Sequence, residues 1–151
     1  MRRYGEAARY YRSALSRYPS SLQAHAGLGM VYLQEADYAN AISLLERAQS
    51  LTTGLARDRA RLGYACALAG AKERARGILS ELLELAHRSS VPGNMLAELY
   101  IGIGETANAF NWLHTAIDQK DIPAMLRCDP IFDSLRSDHR FPGLLEHQRM
   151  L

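Results

Sequence analysis

The sequence predicts an all-α fold, a right-handed solenoid of antiparallel helical hairpins that ends in a two-helix cap. Two observations predict it: alanine recurs every 34 residues, and a large apolar residue follows each alanine four positions later. The alanines are Ala7, Ala41, Ala75 and Ala109, and the large residues are Tyr11, Leu45, Leu79 and Leu113. Such a period is typical of stacked hairpins, because one hairpin cannot bury its apolar stripe alone.

A second set of positions repeats in the same register and marks the first helix of each hairpin. It consists of Leu28, Leu62 and Leu96, then Gly29, Gly63 and Ala97, then Tyr32, Cys66 and Tyr100. The register predicts three complete hairpins within residues 21–121, over about 22–54, 55–88 and 89–121. Gly70 and Gly104 are expected to end the first helices of their hairpins, because glycine adopts the left-handed conformation at the lowest cost.

This pattern resembles the tetratricopeptide repeat, a 34-residue helix-turn-helix with the signature W-x2-L-G-x2-Y…A-x3-F…P. The tryptophan position is occupied by His25, Arg59 and Gly93, and the terminal proline is kept only at Pro19. The resemblance implies a scaffold that binds a protein or peptide ligand on a concave surface, with no catalysis, no cofactor and no metal.

The register makes residues 1–20 the second helix of an incomplete first repeat, since Tyr4 aligns with Tyr38. An unpaired helix of this kind exposes the face that normally packs on its partner. Here that face includes Ala7, Tyr10 and Tyr11. We therefore expect either a fragment or shortened product of a longer chain, or a protein that buries this face on a partner, with self-association as one way to do so.

Residues 122–151 depart from the repeat and are expected to form two short capping helices. Asp129-Pro130 is a favourable helix start, with aspartate as the N-cap and proline in the first turn. The tail also resembles the C-terminal end of bacterial tetratricopeptide regions, with Phe110 and Trp112 followed by a DPxFDxLRxDxRFxxLL pattern. This second resemblance implies a bacterial signalling context in which a transcription regulator, adenylate cyclase or kinase domain precedes the repeats.

Composition excludes several other classes of protein. The 151 residues are 48% hydrophobic and 23% charged, with a net charge of +2, which gives no electrostatic reason to expect direct nucleic acid binding. No apolar run is long enough to span a membrane, and no apolar segment of a signal peptide follows Arg2 and Arg3. We expect a cytoplasmic protein with reduced thiols at Cys66 and Cys128.

A partner-binding site is expected in the concave groove, which the first helix of each hairpin lines by helical spacing. The candidate residues are Gln23, Met30, Gln34, Arg57, Arg61, Tyr64, Asn94 and Glu98. Arg57 and Arg61 would form a basic pair at the middle of the groove, suited to an acidic or extended peptide. The carboxylate clamp of chaperone-binding relatives is not kept, because Ala26, Met30 and Ala60 fall at or near its positions.

The acidic residues of the tail fit either a catalytic or a structural role. Asp129, Asp133 and Asp138 of the tail have the side chains of an acid/base site, but helix capping and ion pairing explain them more simply. The histidines show no HxxxH or HExxH spacing, so no metal site is expected. Three hypotheses remain: a protein-interaction scaffold, a regulatory module attached to an effector domain, and a hydrolase that uses the tail carboxylates.

Overall fold

In the computed structural model, the residues described are 4–52, 56–89, 91–120 and 126–150. They form eight α-helices and one short 3₁₀ helix, and no strand occurs within these ranges. The helices are α1 (Tyr4–Arg17), α2 (Leu22–Gln34), α3 (Tyr38–Ser50), α4 (Ala56–Leu68), α5 (Lys72–Arg88), α6 (Gly93–Ile103), α7 (Thr106–Asp118), the 3₁₀ helix Pro130–Leu135, and α8 (Phe141–Met150). The expected all-α solenoid is confirmed.

Three antiparallel pairs build the stack: α2 with α3, α4 with α5, and α6 with α7. Helix α1 packs on α2, and the first helices α4 and α6 pack closely on each other. By contrast, α2 meets α4 only sparsely. The stack is therefore open between its second and third hairpins and closed between its third and fourth.

The turns between paired helices have a residue with a positive φ at the same repeat position in all three hairpins. Gly70 and Gly104 have φ values of +83° and +93°, as expected of glycines that end a helix. The equivalent position of the second hairpin is Ala36, which has a φ of +59°. An alanine therefore holds a left-handed conformation that costs it about 1 kcal/mol.

The repeat positions form the core. Ala41, Ala75 and Ala109 are completely buried, and Leu45, Leu79 and Leu113 are at most 7% exposed. One large core joins α2 through α8, whereas α1 belongs to a smaller cluster with only three buried members, Ala8, Leu28 and Val31. Helix α1 is thus the least anchored element of the stack.

The C-terminal segment packs as a cap on the last hairpin. Phe132 and Phe141 are buried in the main core, at 0% and 6% exposure. The first capping element is a 3₁₀ helix rather than a longer α-helix, and the carboxylate of Asp129 accepts a hydrogen bond from the Ile131 amide at its start. The start of the predicted cap, residues 122–125, lies outside the described residues.

Charged side chains of the cap contact α7 and each other. The Arg140 guanidinium lies 4.3 Å from the centre of the Phe110 ring and donates to the Asp138 carboxylate at 2.7 Å. This contact holds the pKa of Asp138 well below its usual range. Asp129 and Asp138 thus serve as caps and ion-pair partners, and Asp133 pairs with Arg136. With Phe132 and Phe141 buried as well, the structure gives these carboxylates capping and ion-pairing roles in the C-terminal segment.

A histidine contact that the spacing did not predict also joins the cap to α7. His114 Nδ1 and His147 Nδ1 are 3.0 Å apart, and His147 Nε2 lies 3.0 Å from a carboxylate oxygen of Asp118. The two histidines are 33 residues apart in the chain, so only the folded position of α8 brings them together. Within the described ranges no group of three histidine, cysteine or acidic side chains has an arrangement that would hold a metal ion.

Candidate partner-binding groove

A groove of about 980 Å³ runs along one side of the stack. Its walls come from α1, α2, the first turns of α4, the end of α5, the start of α6 and the beginning of the cap. The opening between α2 and α4 is what gives it width. The contribution of α1 consists of Tyr4, Ala7 and Tyr11, and that of the cap consists of Asp129 and Pro130.

Five of the predicted groove residues line this space: Gln23, Met30, Gln34, Arg57 and Arg61. The other three, Tyr64, Asn94 and Glu98, are not part of the lining. Tyr64 lies where α4 and α6 pack closely: it is buried, and its ring lies against the backbone of Gly102. Close packing of these two helices covers positions that helical spacing alone would leave open.

The middle of the groove carries charges of both signs. Arg57 is exposed, and its neighbour Asp58 is only 3% exposed although it also lines the groove. The Asp58 carboxylate lies 3.9 Å from the Arg61 guanidinium, and its second oxygen, Oδ2, has no hydrogen-bond partner. Sequence reasoning missed Asp58, and the available signal was that it stands where the preceding repeat has the small buried residue Ala24.

Glu98 adds an acid behind the arginines. Burial raises the pKa of its carboxyl group to about 7, and the charge of Asp129 raises this pKa further while Arg61 and Arg57 oppose the shift. Burial likewise raises the pKa of Tyr64 to about 12. The predicted basic pair therefore belongs to a mixed cluster that also contains the acidic side chains Asp58, Glu98 and Asp129.

The α1 end of the groove is apolar and closely fitted. The Tyr11 ring lies directly over Gly27, where an added Cβ atom would lie 2.3 Å from the ring. Tyr11 itself is half-buried and packs edge-on against Tyr10, with ring centres 5.5 Å apart. Tyr10 is 72% exposed and points away from the groove lining. The predicted exposed face is thus split between a groove wall (Ala7 and Tyr11) and an outer side chain.

Comparison with known proteins agrees with the fold. Residues 1–50 match the family model described as tetratricopeptide repeat. The crystal structure of MamA superposes with a TM-score of 0.54 at 22% identity, covering 97% of this chain and 83% of that chain. The first third of the chain therefore matches the tetratricopeptide repeat, and the chain shares the fold of MamA.

Seven chains of solved structures match in all, and no curated protein does. No helix within the described ranges is long and apolar enough to cross a membrane.

Proposed function

We propose that this tetratricopeptide-repeat module binds a segment of a partner protein in the groove between α1, α2, α4 and the cap. The observation that carries the proposal is the groove itself, which combines an apolar end at Ala7, Tyr11 and Met30 with charged side chains at its middle. Grooves that unite an apolar floor with a few convergent polar groups are the usual binding sites of proteins.

Arg57 is the side chain that favours contact with an acidic residue of the partner. It is exposed, lines the groove, and has no ion pair within the described part of the chain. A guanidinium group is suited to bidentate contact with a carboxylate. Asp58 Oδ2 offers the complementary acceptor, so a segment that carries both an acid and a nearby donor fits the cluster better than a purely acidic one.

Charge substitution at the arginines tests the proposal. Because Arg61 lies beside the buried Asp58, a glutamate there would place two carboxylates together, and glutamine is the better replacement. We expect Arg57→Glu with Arg61→Gln to reduce partner recovery in affinity purification about tenfold or more, as for central interface residues. The melting temperature should change little.

The matched control replaces exposed arginines that do not line the groove, Arg9→Glu with Arg47→Gln. It makes the same change in net charge, so a general electrostatic effect would reduce recovery equally in both double variants. Equal partner recovery by the groove variant and the unmodified protein would show that the groove is not the binding site.

A second proposal concerns the setting of the module. The tail pattern around Asp129, Pro130, Phe132 and Phe141 supports a regulatory unit of a bacterial, cytoplasmic protein whose effector domain it controls. The observation in favour is that the same cap both buries these phenylalanines and contributes a wall of the groove, so ligand binding and cap position are physically linked. The reading frame upstream of Met1 tests this directly, since an encoded DNA-binding, cyclase or kinase domain is expected.

A further inference from the structure

We propose that His114 and His147 together bind a divalent transition-metal ion, with Asp118 as the carboxylate that orients His147. Imidazole nitrogens favour ions such as Zn²⁺, Cu²⁺ and Ni²⁺. The site joins α8 of the cap to α7 and lies outside the groove lining, so it is independent of the proposed function.

The two imidazole rings meet where α8 packs on α7. Their Nδ1 atoms are 3.0 Å apart, their centres are 5.3 Å apart, and their planes are inclined by 30°. Two imidazole nitrogens that bind one tetrahedral zinc ion, each at about 2.0–2.1 Å, lie about 3.3 Å from each other. A small separation of the rings therefore lets an ion take the place of the proton between the two nitrogens.

Asp118 determines which nitrogen of His147 is available to an ion. One of its carboxylate oxygens lies 3.0 Å from Nε2 of His147, and its negative charge favours a proton on that nitrogen. In the neutral ring, Nδ1 then carries the lone pair that faces His114. Histidines that bind metal ions almost always have such a partner at their second nitrogen, which fixes the orientation of the ring and raises its basicity.

The proton that now joins the two rings has a place to go when an ion binds. In the hydrogen bond it belongs to Nδ1 of His114, because Nδ1 of His147 is the acceptor. Exchange with water moves it to Nε2 of His114, which frees Nδ1 as a ligand. Both rings stay neutral, as metal ligation requires.

Buried neighbours hold both histidines in position. In α7, His114 follows Leu113 and precedes Ile117 by three residues, and both of these side chains are 1% exposed. In α8, Leu144 lies three residues before His147 and is completely buried. Core packing of the cap therefore brings the two ligands together, and little further freedom is lost when an ion binds.

The site is open to water. The side chains of His147 and Asp118 are 27% and 65% exposed, and His114 is half-buried. An ion can therefore reach the two nitrogens from solution. Water supplies the remaining positions of a four-coordinate ion, since the described part of the chain arranges no group of three protein ligands.

His139 offers an internal comparison in the same C-terminal segment. Its imidazole is 90% exposed, and its Nδ1 atom lies 3.4 Å from a carboxylate oxygen of Asp138. It thus has a carboxylate neighbour, as His147 does, but its exposure leaves it without a fixed orientation. Substitution of His139 therefore measures weak binding by an ordinary surface histidine.

Isothermal titration of ZnCl₂ into metal-free protein that carries no histidine tag tests the site. We expect saturable binding of one ion per chain. His114→Gln and His147→Gln should each weaken this binding by more than about tenfold, and Asp118→Asn should weaken it by about tenfold. His139→Gln should leave the affinity unchanged. Mg²⁺, which prefers oxygen ligands, should not bind in the same range of concentration.

The melting temperature reports whether the ion binds to the folded cap. Because an ion held between α7 and α8 binds only the folded chain, ZnCl₂ should raise the melting temperature of the unmodified and His139→Gln proteins. It should not raise that of His147→Gln. Circular dichroism without metal shows whether each variant is folded, and Asp118→Asn, at an exposed position, gives an independent test if a histidine variant is not.

Several results would overturn the proposal. Equal Zn²⁺ affinity of the unmodified, His114→Gln and His147→Gln proteins would mean an adventitious ion only. A loss of affinity in His139→Gln as large as that in His147→Gln would have the same meaning. The absence of saturable binding would leave the histidine pair as a hydrogen bond between the cap and α7, and an unaffected Asp118→Asn protein would contradict the orienting role of Asp118.

Discussion

Glu98 shows how packing changes the chemistry of one side chain in this solenoid. Its carboxyl group has a pKa of about 7, above the ordinary value of 4.5, chiefly because the fold buries it. The folded state therefore prefers the protonated acid. The stability associated with this preference is complete below about pH 4.5 and is lost as the pH rises through 7.

Replacement of Glu98 measures this effect. Glu98→Gln should raise the free energy of unfolding at pH 8 by about 2 kcal/mol more than at pH 5, because the amide has no charge to bury at either pH. Chemical denaturation at the two pH values gives the comparison. The control Glu84→Gln alters an exposed acid of α5 and should have the same small effect at both. A Glu98→Gln effect that is independent of pH would contradict the proposed cause.

We expect the same carboxyl group to affect ligand binding through its charge. If the ligand places an acid beside Arg57, its affinity should fall as the pH rises through about 7 and Glu98 ionises. In the Glu98→Gln variant this decrease should disappear. Titrations of the identified partner segment at pH 6 and pH 8 with both proteins make the measurement, and an affinity that rises with pH in the unmodified protein would indicate that the segment offers a cation instead.

At the scale of a helix, the turn at Ala36 can be compared with the equivalent turns of the next two repeats. Ala36 holds a positive φ where the next two repeats have Gly70 and Gly104. Ala36→Gly should stabilise the protein by about 1 kcal/mol, and Gly70→Ala should destabilise it by a similar amount. The control Ala39→Gly, within α3, should destabilise, since glycine lowers helix propensity there. Thermal or chemical unfolding distinguishes the three, and a destabilising Ala36→Gly would refute the strained turn.

The contribution of the cap to the stability of the protein can be measured with a single substitution. Phe132→Ala removes a completely buried ring from the interface between the cap and the last hairpin and should cost about 3–4 kcal/mol. Tyr18→Ala removes a side chain that is 69% exposed and should change stability by less than about 0.5 kcal/mol. Limited proteolysis should then cut first in the cap of the Phe132→Ala protein. Equal stability of both variants would mean that the cap does not pack as described.

The elements differ in how far the sequence predicted them. The 34-residue period predicted the buried alanines and leucines of α3, α5 and α7 because the helices that cover them repeat in the same register. It did not predict that Asp129 and Pro130 form a groove wall, because the tail lies outside the period. It also placed Tyr64 in the groove, since helical spacing gives the direction of a side chain but not the distance to the neighbouring helix.

At the scale of the whole molecule, the opening between α2 and α4 is the feature that produces a binding site. The closed contact between α4 and α6 buries Tyr64, whereas the open contact leaves room beside Met30, Gln34 and Arg61. The register of the repeat determines which helices are neighbours. The angle between successive hairpins depends on how the large side chains at their interface pack. The location of the groove therefore follows from the folded structure and not from the repeat pattern.

The central claim, that a protein segment occupies this groove, is tested most directly by site-specific photo-crosslinking. A photoreactive amino acid at Met30, within the groove, should form a covalent product with a partner protein in cells. The same amino acid at Ser43, an exposed position of α3 outside the groove, should give no such product. A product from Ser43 and none from Met30 would contradict the account.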